Sequence, residues 1–271
     1  MSRKNWSDEK LLQKALRNKT ELAYWENIHA LRLRPSESLF LTCIEMVNSQ
    51  NQKEKIIAVD ILAQLGSPNR PFLDKKLKLY FELLDQEKDA LVIRSILFGI
   101  GHNNQNLTDD QIHQLCRLDL NDDVIKQGLI SALGFVHDKR AIDILIKLSA
   151  DHLSTHRDWA TFYIGESQFD NQKLREALWE RVKDRHYNTK LEAIMGLAKR
   201  KDPKIIDIIK TELVKGRSTA GLFDAIMDLE DVQFLPLLLK EREQAKNYQS
   251  ADNYWKSCLD KCIDYLLELK K

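Results

Sequence analysis

The 271-residue chain is poor in residues that interrupt helices. Nine glycines and five prolines are too few for a strand-rich fold, whose tight turns depend on them. No stretch approaches 18 consecutive apolar residues, so none reads as a membrane-spanning helix. The amino-terminal MSRKNWSDEKLLQKALRNK is charged throughout and has no apolar signal-peptide core, so a cytoplasmic protein is expected. There is also no surplus of charge. Lys and Arg number 42 against 41 Asp and Glu, with 18 and 18 in residues 1–135 and 24 and 23 in residues 136–271. Non-specific nucleic-acid binding rests on neutralising phosphates, and an even balance gives it no general support. The four cysteines, Cys43, Cys116, Cys258 and Cys262, form no CxxC pair, which sets aside zinc-ribbon and thioredoxin-like chemistry. Cys258 and Cys262 are four apart, on one face of a helix, where a disulfide is geometrically poor. They read as small buried apolar residues. No GxxxxGK[ST], GxGxxG or GxSxG occurs, so neither a phosphate cradle nor a nucleophile elbow is visible. No cofactor is expected.

A repeat is present instead. KEKIIAVDILAQLGSPNR, DALVIRSILFGIGHNNQN, DDVIKQGLISALGFVHDKRAIDIL, STHRDWATFYIGESQFDNQKL, YNTKLEAIMGLAKRKDPKIIDII and RSTAGLFDAIMDLEDVQFLPLL share one plan. An apolar helical run ends at a landmark residue, a polar turn follows, and a second apolar run begins. The landmarks Gly66, Gly101, Gly134, Gly165, Ala198 and Met227 are 35, 33, 31, 33 and 29 residues apart. A period near that of one helix pair is the mark of an α-solenoid. The expected fold is therefore all-α, a superhelix of about seven helix pairs in a single domain over residues 1–271. Residues 1–35 form an N-terminal cap, 36–250 the repeats and 251–271 a closing helix.

Local signals place the elements. Helices are expected over 8–17 and 20–33, with Ser7 as an N-cap and Pro35 as a stop. First helices of the pairs should begin near Ser36, Phe72, Thr108, Arg140, Asn171, Pro203 and Phe234. Second helices should begin near Lys53, Asp89, Asp122, Thr155, Tyr187, Ser218 and Ala251. Asp202 is placed as an N-cap with Pro203 in the first helical position, and Thr155 as another N-cap. In the closing helix, Trp255, Cys258, Cys262, Ile263 and Leu266 recur at helical spacing, a core-facing stripe.

A second column runs through Arg94, Lys126, Arg157 and Lys190, spaced 32, 31 and 33. Each base lies near the start of a second helix, and the turn acids Asp138 and Asp202, with Asp122 and Asp123 nearby, are expected to meet such bases across neighbouring repeats as a structural ladder. The stretches ALGFVHDKRAIDILIKL (132–148), GLAKRKDPKIIDII (196–209) and HRDWATFYIGE (156–166) resemble HEAT-like repeats of the phycobilin-lyase type. Proteins of that repeat type include protein-binding scaffolds, chromophore lyases, metal oxygenases and DNA glycosylases. The resemblance thus implies a HEAT-like solenoid and leaves the function open.

The stretch DHLSTHRDWATFYIGE (151–166) gathers the candidate functional groups. His152 and His156 are four apart, but a metal site needs three or four converging ligands, and the chain has no HExxH and no His-Glu pair. The two histidines read as part of a polar inter-helix turn, and no metal is expected. Counted from the basic column, Trp159 and Phe162 fall where the preceding repeat has Gly128 and Ser131 and the following one Glu192 and Met195. Mostly small or polar residues there point to a solvent-facing concave surface, which would make Trp159 and Phe162 exposed interface anchors. The competing reading is that both are core. Asp158 and Glu166 would flank the patch, with Leu191 and Met195 extending it. The reading preferred is a non-enzymatic scaffold holding a protein partner on its concave face. The alternatives are a DNA-processing enzyme, such as an alkylpurine glycosylase of HEAT-like fold using Arg157, Asp158 and Trp159, or a bilin-lyase-like protein.

Overall fold

The computed structural model describes residues 3–245 and 253–271. Among these residues there are sixteen α-helices and no strand. An opening pair, α1 (Asp8–Leu16) and α2 (Glu21–Arg32), precedes seven further pairs in chain order. These are α3 (Glu37–Val47) and α4 (Gln52–Ala63), α5 (Leu73–Gln86) and α6 (Ala90–Gly101), α7 (Asp109–Cys116) and α8 (Asp123–Leu133), α9 (Lys139–Leu148) and α10 (Ser154–Glu166), α11 (Gln172–Arg181) and α12 (Tyr187–Lys199), α13 (Ile205–Val214) and α14 (Ala220–Leu229), and α15 (Leu235–Ala245) and α16 (Asn253–Leu269). No helix among the described residues is long and apolar enough to cross a membrane.

The helix starts follow capping chemistry. Each N-cap side-chain oxygen accepts from a backbone N–H of the first turn, where the helix itself offers no acceptor. Ser7, Ser36, Asp89, Asp122, Asn171 and Thr219 all serve in this way. Thr108 does so within a full capping box closed by Gln111. Two expected caps differ. Thr155 lies inside α10; the Asp151 carboxylate takes the Leu153 N–H at 2.9 Å and organises the turn before that helix. Asp202 accepts from the N–H of Lys204 at 3.1 Å, and its carbonyl accepts from Ile205 at 3.2 Å. That tight turn takes up Pro203 and Lys204, so α13 starts at Ile205. The expected second-helix start at Ala251 and the boundary at 250/251 lie outside the described residues.

The chain packs as two compact units, Met1–Ile144 and Leu145–Lys271. In the first, α4 lies against α2 and α6, and α6 against α8. In the second, α10 lies against α12, α12 against α14, and α14 against α16. Within each unit the second helices therefore stack on one another and bury most of their apolar surface. From α6 alone, Val92, Ile93, Ile96, Leu97 and Ile100 are buried. In α16, Leu259, Cys262, Ile263 and Leu266 are buried, while Trp255 is half-buried and donates from Nε1 to the Ser218 carbonyl at 2.8 Å.

Small residues set how closely the stacked helices approach. A Cβ on Gly196 would lie 2.7 Å from the Gly165 Cα, and one on Gly101 would lie 2.5 Å from the Ser131 Oγ. The landmarks Gly101 and Gly165 are thus the points where one second helix touches the next. At the α10–α12 crossing the two positions are not equivalent. A Cβ on Gly165 would come no closer than 3.3 Å, to the Glu192 carbonyl oxygen, with the Gly196 Cα at 3.4 Å. Gly196→Ala should destabilise the protein by about 1–3 kcal/mol, the usual cost of overpacking. Gly165→Ala should cost far less, because the gain in helix propensity of about 1 kcal/mol offsets a mild contact. Urea denaturation of both variants checks this, and equal losses would reject the asymmetry.

Candidate functional site

The site is built on the start of α10. Arg157 closes its Nε and Nη2 on the Asp184 carboxylate at 2.8 and 3.0 Å. Its Nη1 donates to the carbonyls of Asp151 and His152, both at 3.0 Å. One guanidinium thus ties the turn before α10 to the turn before α12. The bidentate bond raises the Arg157 pKa and holds the Asp184 carboxyl below its ordinary range, as a charge-assisted fork should. His156 is buried, with Nδ1 3.1 Å from Asp151 Oδ1; His152 is exposed, with Nδ1 3.2 Å from the same oxygen. Both histidines therefore converge on one carboxylate at the helix start.

The basic column has no single partner type. Arg157 meets a turn acid of the next repeat, but it is Asp184. Lys190 reaches Glu212 of α13 at 2.6 Å, a carboxylate only 1% exposed that is held down by Lys190 and Lys215. Lys126 bonds Asp123 within its own helix at 2.8 Å. Arg94 donates to Gln127 at 3.4 Å. The two expected turn acids are engaged by first-helix arginines instead. Asp138 accepts from Arg140 Nε and Nη2. Asp202 accepts from Trp179 Nε1 at 3.0 Å and Arg175 Nη1 at 3.5 Å. The reason is reach: the turn acids follow the second helix, next to the start of the first helix, while the bases sit at the opposite end of the second.

On α10, Trp159 is 56% exposed. Its ring meets Phe162 edge-on at 5.9 Å and lies 6.2 Å from Tyr163, and Phe162 and Tyr163 are 5.2 Å apart. Phe162 and Tyr163 are half-buried, so the cluster has an apolar base and an exposed tip. Leu191 and Met195 on α12 are half-buried and lie against Gly221 of α14, where an added Cβ would meet Met195 Sδ at 2.9 Å and Leu191 Cδ2 at 3.3 Å. The small residues at the matching offsets of the preceding repeat have another cause than the one expected. A Cβ on Gly128 would stand 2.8 Å from Leu97, so Gly128 is small because α6 crosses it, not because it faces solvent. The exposure of Trp159 thus arises at its own repeat.

Carboxylates accompany the aromatics. Asp158 Oδ1 is buried with no hydrogen-bond partner among the described residues. Burial pushes that carboxyl up, against the pull of His186 and Thr189. Glu192 is pushed up to about 7, first by burial and then by repulsion from Asp158 and Glu166, with Lys199 opposing. Asp228 on α14 is also raised by burial, with Asp224 and Glu166 adding to the effect against Lys199 and Lys201. Glu166 is ion-paired with Lys199. The face therefore gathers four carboxyls, Asp158, Glu166, Glu192 and Asp228, against the lysines Lys199 and Lys201, with the exposed indole on α10. Sequence reasoning had the residue types at 158–166 but missed Glu192 as a site acid, because its role follows from the α10–α12 packing. Asp184 and Arg200 were missed as well. Arg200 donates to the carbonyls of Gly165 and Gly196, both at 2.7 Å, and to those of Ile164, Ser167 and Phe169.

The raised Glu192 pKa has a defined sign. The proton is held more tightly in the folded chain than at the ordinary value of 4.5. The stability it contributes is present below 4.5 and is lost as pH rises through about 7. Glu192→Gln removes that loss. The variant should gain stability relative to wild type between pH 5 and 8 in parallel thermal melts, and a constant difference across that range would contradict the assignment.

No family model matches the chain. A stretch of 114 residues, 42% of the chain, is 31% identical to Protein YibA of Escherichia coli K12, and the same holds for YibA of Escherichia coli O157:H7. The match spans 41% of the length of these relatives. The crystal structure of Escherichia coli YibA is similar to this chain with a TM-score of 0.71 over 98% of this chain and 94% of that one, at 22% identity. At that identity the likeness establishes a shared all-helical fold.

Proposed function

We propose that the chain is a non-enzymatic binding scaffold: a HEAT-like solenoid of seven helix pairs that holds a protein partner on the face of α10 and α12. The regular landmark spacing and the stacking of second helices within each unit support the repeat reading. The observation that carries the functional reading is Trp159, more than half exposed and next in sequence to Asp158, whose carboxyl, like that of its neighbour Glu192, is pushed up by burial. An exposed aromatic anchor in a partly desolvated polar setting is what hot spots of protein interfaces are made of. The excess carboxylate favours a partner that presents lysine or arginine there. A phosphate backbone would meet repulsion on the same face. Arg157, the base nearest these groups in sequence, is committed to Asp184.

Trp159→Ala should leave stability within about 1 kcal/mol of wild type, as for an exposed residue away from the core. Affinity capture from nuclease-treated lysate with wild type and with a Trp159→Ala, Phe162→Ala variant of unchanged melting temperature tests the reading. A protein retained by wild type and lost by the variant is the expected result. Identical capture by both, or recovery of nucleic acid from untreated lysate in a salt-sensitive manner, would reject it.

A further inference from the structure

In the second unit, the turns before α12 and α14 border a hollow of about 650 Å³ that does not include Trp159. Four bases line it, Lys183, Arg185, Lys190 and Arg217, against one acid, Asp184. That acid has no charge left to offer, because its buried carboxylate is closed in the Nε and Nη2 fork of Arg157. The hollow is therefore strongly positive in a chain whose net charge is only +1. Its bases are also open to solvent. Arg185 is exposed, and no side-chain hydrogen bond or ion pair engages it among the described residues. Arg217 is half exposed, and Lys183 more so. Lys183 pairs with Glu180 at 3.1 Å, but both side chains stand in water, where such a pair is worth little.

The charge count narrows the ligand. Lys190, Lys215 and Arg217 all approach one carboxylate, Glu212, at 2.6, 3.4 and 3.4 Å. Glu212 is buried and supplies a single negative charge, so the three bases around it leave two positive charges uncompensated. Arg217 is also held in position. Its guanidinium lies 5.6 Å from the centroid of the Tyr187 ring, and the Tyr187 hydroxyl donates to its carbonyl at 2.9 Å. From the other turn Arg185 adds a guanidinium without an acid. A carboxylate or a phosphodiester brings one negative charge and leaves part of this surplus standing. A phosphate monoester carries about −1.5 to −2 near neutral pH and three acceptor oxygens, which suits two guanidinium forks and an ammonium. We propose that this hollow binds a phosphate monoester, with its oxygens on Arg185 and Arg217, Lys190 adding charge, and the esterified group along Tyr187. A phosphoserine of a partner protein and a free phosphorylated metabolite share that chemistry.

Titration calorimetry on the full chain separates the sources, using an acetylated and amidated alanine peptide with one central phosphoserine for the protein source and AMP for the metabolite. The unphosphorylated peptide and adenosine serve as controls. The expected result is saturable binding of one or both phosphates, roughly tenfold or more tighter than the matching control, with the tighter phosphate identifying the source. Arg185→Ala should weaken binding by a similar factor, and Arg185→Lys, which keeps the charge but not the fork, should fall between. Arg185 has no internal side-chain bond to lose, so both variants should melt as wild type does. Lys78→Ala, which removes an exposed base of the first unit, should bind as wild type. Should Arg185→Ala not fold, the phosphate-to-control ratio and the NMR shifts of the Tyr187 ring in wild type decide the matter. No binding by either phosphate, controls binding as well as phosphates, binding unaltered in a folded Arg185→Ala variant, an equal loss in Lys78→Ala, or unmoved Tyr187 resonances would overturn the proposal.

Discussion

The backbone contact of Gly165 with Gly196 is the constraint on which the second unit depends. Two helices meeting without side chains between them come very close, and the contact falls in their last turns, where backbone carbonyls have no intrahelical donor. Arg200 supplies them, reaching back from the end of α12 to carbonyls on both helices and on the turn after α10. Its guanidinium is largely buried, and desolvation lowers its pKa. Five carbonyl acceptors on Nη1 and Nη2 offset much of that cost, while Nε only approaches Asp170 at 3.8 Å. Close packing and a dedicated clamp thus fix α10 against α12.

That fixed crossing has an electrostatic result. Asp158 and Glu166 on α10 are brought near Glu192 on α12, and their repulsion adds to the burial that raises Glu192. The helices cannot move apart to relieve it, because the glycine contact and Arg200 hold them. Local strain of this kind, kept in place by surrounding structure, is common where a surface has a task beyond folding. Arg94 in the first unit is held more loosely: its Nη1 donates to Gln127 at 3.4 Å, and its charge opposes the burial that raises Asp60. Its column-mate Arg157 instead closes a bidentate fork on Asp184.

The all-helical character and most helix starts were readable from the sequence because their signals are local. Ser36, Asp89, Asp122 and Asn171 mark helix starts through bonds spanning two or three residues, and two of the landmark glycines, Gly101 and Gly165, mark crossings through steric need. The pairings between repeats were not readable. The basic column at 94, 126, 157 and 190 is regular in sequence, but its partners are Gln127, Asp123, Asp184 and Glu212, each in a different relation to its base. Spacing along a chain says which side chains share a face; which acid lies within 3 Å depends on crossing angle and turn shape. Trp159 was placed on an open surface by analogy with Gly128, whose small size has a different origin. Glu192 and Arg200 gain their roles from the α10–α12 contact alone, and nothing beside them in sequence announces it.

Arg200 also bears on how such a chain is able to change over evolutionary time. Repeat arrays lengthen and shorten by duplicating or losing whole modules, which works when every joint is alike. The joint between α10 and α12 is keyed. Excising the module that carries α11 and α12 would strip the guanidinium from Ile164, Gly165, Ser167 and Phe169 at once, and a duplicate inserted there would need both a glycine at the crossing and an arginine four residues on. The Trp159 face and the acids of the next helix therefore depend on one and the same joint, and a change at Gly196 or Arg200 would reach both.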